Sequence, residues 1–524
     1  MTSSIASRAA AGKWVVAATV MLGSFVSVMD ISIVNVAMPQ MLGTFGVSLD
    51  VITWVVVAYN IAEIILVSLT AWFSRLLGRK RFYIYSFLLF TMASMLCGLA
   101  RSLEMMILAR VLQGIGGGGL IPVTQAVLLE AFPEEERGMA MAVYMMGVVV
   151  APAMGPVIGG WLTDTYGWPW IFYINLPIGC LGISMAVIFL QDPPYMQRGL
   201  SRLDLLGIAL LAIGLTALQI VLERGERENW FDSTWIVITT SIALLALGFL
   251  VWHELRVDEP VLNLRVLRNI PFMAGACLGL IFGVTLFGSI FILPLFLQRL
   301  QGHEVYDSGI IQMPRMLTML VLAPIAGRLY NYVDSRLLIG LSIILMMIGY
   351  FDMAHFNLEV GGRQMLPSLI IGGVGMALMF TILTTAAMRT VPLPLMTAAT
   401  SLFTLIRRIG GNLGYALVAS QIERRTIFHR ARLLDHVTPY DTPTMQVLDG
   451  LTERLITEHG LAPGVAANSA VKLLASTVHR HATMMAYNDV FWLMGMLFVV
   501  SLPFLIMLGS RQRPSASTSG PPSS

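Results

Sequence analysis

Charge is scarce in this chain. Only 12% of its 524 residues are Asp, Glu, Lys or Arg, about half the roughly 25% of a soluble domain. With 56% hydrophobic residues, too few polar side chains remain to cover a water-soluble surface. The net charge of +3 is small, and the basic residues form no extended patch, so nucleic acid is excluded as a partner. Cysteine is scarcer still: Cys97, Cys180 and Cys277 each lie inside a hydrophobic run. They read as reduced packing residues, not as a disulfide or zinc set. His429, His436, His459, His479 and His481 have no zinc-site spacing with cysteine, so no metal is expected. Walker A, HExxH, GxSxG and paired-histidine motifs are all missing, which argues against an enzyme and against a cofactor.

What the chain has is long apolar runs, with 34 methionines and 47 glycines that suit helices packed in lipid. The first run, Trp14–Pro39, exceeds a signal-peptide core of about 7–15 residues and contains Asp30, so it reads as a membrane helix. A bilayer core needs about 20 apolar residues per helix. That length predicts spans at 14–38, 51–74, 82–100, 104–131, 138–162 and 170–190, then 203–222 and 234–253, then 271–298, 307–330, 336–355, 366–388, 397–420 and 490–510. The expectation is an all-α polytopic membrane protein with about fourteen transmembrane helices.

An even number of spans puts both termini on one side. The termini and the connections on their side hold 17 Lys and Arg, against five on the opposite side: Arg101, Arg224, Arg227, Arg299 and Arg363. The positive-inside rule then makes both termini cytoplasmic. The segment 421–489 becomes one long outer loop, whose length exempts it from the charge count. The resulting division is a cytoplasmic N-terminus (1–13), a first six-helix bundle (14–191), two additional helices (203–253), a second six-helix bundle (271–510) carrying the loop 421–489, and a Ser- and Pro-rich tail (511–524) expected to be disordered. A faint repeat supports two bundles: Leu-Thr-Ala-Trp-Phe-Ser-Arg-Leu ends the second helix of the first, and Ala-Pro-Ile-Ala-Gly-Arg-Leu (323–329) ends that of the other.

The strongest local pattern lies in the fifth span. Gly147, Ala151, Gly155 and Gly159 recur every four residues, a small-residue stripe that lets another helix approach closely. Pro152 and Pro156 form a parallel stripe that frees backbone carbonyls, and Gly160 follows. Plain tight packing explains a single such stripe; two interleaved stripes ending in Gly-Gly are rarer. The pattern resembles the antiporter motif of the major facilitator superfamily. Other segments resemble that superfamily too: Arg110-Val-Leu-Gln113-Gly114 its RxxQG motif, and Gly78, Arg79 and Lys80 its cytoplasmic loop motif. Met29-Asp30-Ile-Ser-Ile-Val-Asn35-Val-Ala-Met-Pro39 and Trp170-Ile-Phe-Tyr-Ile-Asn175-Leu-Pro177-Ile-Gly179 resemble the fourteen-helix drug:proton antiporters. The loop motif departs from the family pattern: Ala71 and Arg75 stand where Gly and Asp are usual.

The resemblance implies two bundles that rock around a central cavity, exchanging protons for hydrophobic drugs at a bacterial inner membrane. It also implies a membrane-fusion protein and an outer-membrane channel as partners. The long outer segment, whose Leu448, Leu451, Leu455 and Ile456 repeat at helical spacing, is the candidate docking surface; a solvated amphipathic hairpin is the plainer reading. An uptake symporter, or an exporter of one natural metabolite, is the alternative function.

Charges inside a membrane are costly, about 2.5–3.5 kcal/mol at a helix centre, and so mark function. Asp30 and Arg110 fall at a shared depth and can exchange partners as a proton binds; a permanent ion pair is the competing reading. Glu63 is a second proton-carrying candidate. Asn35, Gln113, Arg315 and Arg407 are assigned to the substrate cavity or its charge network, Arg407 on the strength of the family alignment. Of Arg407 and Arg408, neighbours about 100° apart on a helix, only one should point squarely into a cavity. Glu130 and Asp489, near helix ends, are expected to be solvated.

Overall fold

The computed structural model describes residues 2–193, 204–438 and 440–508; the side chains of residues 2–11, 49, 50, 153, 156, 305 and 306 lie outside the description. The tail 511–524 lies outside the described residues as well. The described chain is helical. In order come α1 (Thr2–Phe45), α2 (Trp54–Leu77), α3 (Arg79–Gly98), α4 (Leu103–Gly118, resumed after Gly119 as Leu120–Ala131), α5 (Glu134–Tyr166) and α6 (Trp170–Tyr173, then Asn175–Phe189). Next are α7 (Leu205–Arg224), α8 (Thr234–Glu254), α9 (Ile270–Leu295, prolonged by a π turn, Phe296–Leu300), α10 (Val305–Leu329), α11 (Ser335–Met353) and α12 (Gly362–Met388). The last three are α13 (Met396–Leu434), α14 (Thr442–His459) and α15 (Pro463–Met507).

Several helix ends follow from single residues. The side chains of Ser102, Asp204, Asn269 and Asp334 each accept a backbone N–H of the first turn that follows them, replacing a partner that the helix itself cannot supply. Gly78, between α2 and α3, has φ +85°, a conformation that costs glycine little and other residues much. The chain therefore turns back at Gly78 and sets Arg79 and Lys80 at the start of α3.

Among the described residues, thirteen helices are long and apolar enough to span a membrane: α1 to α12 and α15. The fourteenth expected span, in α13, falls short on hydropathy because it carries Arg407, Arg408 and Asn412. Its packing nevertheless places it among the others. A Cβ on Gly410 would lie 2.3 Å from the Leu280 carbonyl oxygen, and one on Gly414 would lie 2.3 Å from that of Val284. The two backbones are thus in close contact along α9, as small residues permit. α13 is polar because it faces protein rather than lipid.

Helices α1–α6 form one bundle, and α9–α13 with α15 form the other. α7 and α8 pack on each other, and α7 also reaches α2 and α13. There Asn412 donates to Gln219, and the Arg224 guanidinium lies 5.1 Å over the Trp54 ring. The pair therefore closes one side of the seam between the bundles.

Both ends of the described chain meet one face. Lys13 of α1 pairs with Glu136, Asn331 donates to the Glu135 carbonyl, and Arg336 donates to the Leu508 carbonyl. On the opposite face, the segment read as a loop at 421–489 is mostly helix. α13 runs on to Leu434, and α15 begins at Pro463 instead of near 490. α14 packs on the α15 extension, and His429 and Arg425 of α13 lie 2.8 and 3.6 Å from Asp489.

Candidate functional site

The small-residue stripe of α5 turns toward α1. A Cβ on Gly155 would come 2.5 Å from Ser32 Oγ, and one on Gly159 would come 2.6 Å from Ile33 Cγ1. Ala151 is fully buried. Gly147 touches α1 loosely, with Met21 Cε 3.7 Å from a Cβ built there, and Gly160 has open space beside it. The prolines act with the stripe. Pro156 has no N–H to give the carbonyl four residues back, and that carbonyl, of Pro152, instead accepts Ser32 Oγ–H at 2.9 Å.

Further along α1, Asp30 is fully buried. Its Oδ2 accepts Arg110 Nη1 at 2.6 Å, and its Oδ1 accepts Gln113 Nε2 at 2.9 Å and Asn175 Nδ2 at 3.1 Å. Ser94 Oγ accepts the same two amides at 3.0 and 2.9 Å. Arg110 also donates Nε to the Val55 carbonyl at 3.0 Å and lies 4.2 Å over the Tyr59 ring. Asp30, Arg110 and Gln113 thus meet as a single knot that ties α1, α3, α4 and α6 within one bundle. Ser94 and Tyr59 were not legible in the sequence, since a lone serine or tyrosine in an apolar run looks like packing. Asn175 stands in the Trp170–Gly179 motif, whose sequence alone carries no role for it. Asn35 lies apart from this knot, exposed, donating only to the Ile31 carbonyl of its own helix at 3.2 Å.

Glu63 behaves differently: it crosses the seam. Arg408 Nη2 of α13 donates to Glu63 Oε1 of α2 at 2.6 Å, with side chains 18% and 3% exposed. From this pair, cross-bundle bonds descend to the face bearing the termini. Ser401 donates to the Val67 carbonyl, Thr404 Oγ1 to Gln125 Oε1 at 3.3 Å, and Thr400 Oγ1 to the Pro122 carbonyl at 3.1 Å. At the face itself, Arg389 lies 3.0 Å from Glu134. Gly138 and Gly327 touch backbone to backbone: a Cβ on either would lie 2.5 Å from the other's oxygen. The seam is closed on this half.

Arg407 and Arg408 both serve the seam, by different routes. Arg407 lies 5.0 Å over the Phe380 ring and 5.9 Å over Phe403, with Phe380 beside Tyr144 of α5. The side chain that meets an acid is Arg408, which the sequence reading left unassigned. In the loop motif, Arg79 pairs with Glu130 and donates to Thr397 Oγ1 across the seam at 2.8 Å. Glu130, expected to be solvated, is held at 12% exposure because Arg79 draws it in; Asp489 is 38% exposed. Lys80 caps the far end of α6, its N–H to Asp192 Oδ1 at 2.7 Å and its Nζ to the Val187 carbonyl at 2.6 Å. With no acid at position 75, Arg75 donates to the Pro260 carbonyl at 3.0 Å, beyond α8. Arg315 lies within the second bundle, away from the other three interior arginines.

Comparison with known proteins agrees with this architecture. A family model of the Major Facilitator Superfamily matches residues 20–415. The chain is 33% identical to the multidrug export protein EmrB of Escherichia coli (strain K12), over 92% of both chains. It is 29% identical to the fatty acid resistance protein FarB of Neisseria gonorrhoeae, over 92% of this chain and 94% of that one. Among solved structures, the human organic anion transporter MFSD10 superposes with a TM-score of 0.60 at 14% identity, covering 94% of this chain and 99% of that one. The proton:xylose symporter XylE gives a TM-score of 0.61 at 13% identity, covering 96% and 97%. Those two show the fold alone. The chain is not an enzyme: it is a membrane transporter that belongs to the major facilitator superfamily.

Proposed function

We propose that this chain is a proton-coupled antiporter that exports hydrophobic drugs or toxic compounds across a bacterial inner membrane, with both termini in the cytoplasm. The relatives named for multidrug export and for fatty acid resistance support the export reading. The observation that carries the coupling is the Glu63–Arg408 pair, the carboxylate–guanidinium contact that bridges the two bundles in mid-membrane. A charged Glu63 holds Arg408 and keeps the seam shut, because such a pair is strong away from water. A protonated Glu63 loses that attraction, and leaving Arg408 unpaired there favours the opened seam. Proton binding thereby shifts the balance between two arrangements of the bundles. Asp30 joins the coupling only if Arg110 swings to another acceptor, since all its present donors belong to its own bundle. The proton gradient is the energy source, and no cofactor takes part.

The outer helical extension, 421–489, is the surface we assign to a periplasmic membrane-fusion protein, which would pass cargo on to an outer-membrane channel. The test of the transport reading is drug and proton flux in inverted vesicles. Imposed acidification of the lumen should drive drug inward without ATP, with protons moving out. Drug movement indifferent to the pH gradient rejects the antiporter.

A further inference from the structure

Among the described residues, Arg110, Arg315, Arg407 and Arg408 lie midway along their bundles, and three of these are accounted for. Arg110 has Asp30, Arg408 has Glu63, and Arg407 lies between two aromatic rings. Arg315 of α10 has neither an acid within ion-pairing distance nor a ring beneath it among the described residues. It is 8% exposed. Its Nη1 donates to Ser289 Oγ of α9 at 2.6 Å, and its Nη2 lies 2.7 Å from Met376 Sδ of α12. A thioether is a weak acceptor. A guanidinium cannot shed its charge by losing a proton, so a buried one calls for an anion.

Space for one lies beside it. A cavity of about 10 Å³ is lined by Arg315, Ser289, Met346, Tyr350, Ser368 and Gly372, roughly the room of one water-sized particle. Ser289 Oγ accepts from Arg315, and the Tyr350 hydroxyl is hydrogen-bonded to both side chains. Tyr350 Oη donates to the Thr285 carbonyl at 3.1 Å, and Ser368 donates to Asp352 at the outer end of α11. Asp352 and Tyr350 are the titratable neighbours, and Asp352 is turned out to the exposed end. A Cβ on Gly372 would meet nothing within 4 Å, so that wall stands back from the guanidinium.

We propose that Arg315, held in place by Ser289 and Tyr350, binds one singly charged anionic group in this cavity. A halide ion fits the space; the carboxylate of a transported compound is the other source of the same chemistry. The bound charge would neutralise Arg315 and tie α9, α10 and α12 together.

The test uses the full chain, purified in detergent with gluconate as the base salt at fixed ionic strength. Chloride or bromide should raise the unfolding midpoint saturably. The response should vanish in Arg315→Gln and weaken severalfold in Ser289→Ala. Gly372→Val gives a second reading that survives a folding failure of Arg315→Gln: it leaves the arginine in place and fills the cavity, so it too should abolish the response. Benzoate in place of halide separates the sources. A rise with benzoate alone, lost in the same variants, assigns the site to a cargo carboxylate. No response to either ion, or an equal response in Gly372→Val, overturns the proposal. Because the readout is stability, its result is independent of whether drug and proton fluxes are coupled.

Discussion

Asp30 and Glu63 are both buried carboxylates bonded to arginine, yet they should fail differently when neutralised. Asp30 uses both oxygens as acceptors, one for Arg110 and one for two amides. Asparagine keeps one acceptor and turns an NH2 toward donors on one side, so Asp30→Asn leaves a buried guanidinium or two amides unmatched. Breaking a buried pair costs about 3–5 kcal/mol. We expect Asp30→Asn to lower the unfolding midpoint and to stop export; an unchanged midpoint with full export would show that the knot is not structural. Glu63→Gln keeps a hydrogen-bonding side chain beside the more exposed Arg408. We expect it to retain folding and pH-independent exchange of drug for drug, but to lose accumulation driven by a proton gradient. Gradient-driven uptake equal to the unaltered protein would remove Glu63 from the coupling. In the sequence these two acids were equally visible as rare charges. Which arginine each one met, and whether it lay across the seam, was not, because helix partners are set by three-dimensional packing.

Among the helices, α5 was the most legible, because a four-residue spacing places its small residues on one face whatever the rest of the fold does. Its partner needed the structure: the stripe meets Ser32 and Ile33 of α1, and Ser32 takes up the carbonyl left free by Pro156. Gly155→Leu puts a bulky side chain where even a Cβ would sit 2.5 Å from Ser32 Oγ. Overpacking costs typically about 1–3 kcal/mol. The expected result is a chain that reaches the membrane with reduced stability and little transport; normal transport would show that α1 and α5 separate freely there. The same logic applies to the Gly138–Gly327 contact between α5 and α10. Gly327→Leu should force the termini-bearing face open, read as increased labelling of a cysteine introduced at Thr397. Labelling that stays at its starting level would show that the seam closes without this contact. α13 was the least legible helix by hydropathy, since the polar residues that spoil its score are those that face the seam.

For the whole molecule, the two bundles and the bridging pair α7–α8 leave one large elaboration, the helices of 421–489, on the face away from the termini. Replacing residues 435–475 with a short Gly/Ser linker removes α14 and the start of α15. The His429 and Arg425 contacts to Asp489 would remain. We expect whole-cell resistance to fall while drug–proton exchange in isolated vesicles continues. Full resistance in cells would reject docking at this surface, and loss of vesicle exchange as well would place the extension in the transport cycle.

That this chain lives in a membrane as a set of helices follows from its residues alone. Low charge and apolar runs about 20 residues long leave few alternatives when every backbone polar group must be satisfied internally. The residues also show which positions are unusual, because a charge or a paired proline within lipid stands out locally. How they combine was set by the packing of the folded chain. It gave Asp30 three donors within one bundle and sent Glu63 across the seam to Arg408. It turned an expected loop into helices stacked on one face, and set Arg315 beside a small cavity. Those outcomes depend on helix rotation and neighbour choice, which small residues permit but local periodicity does not specify.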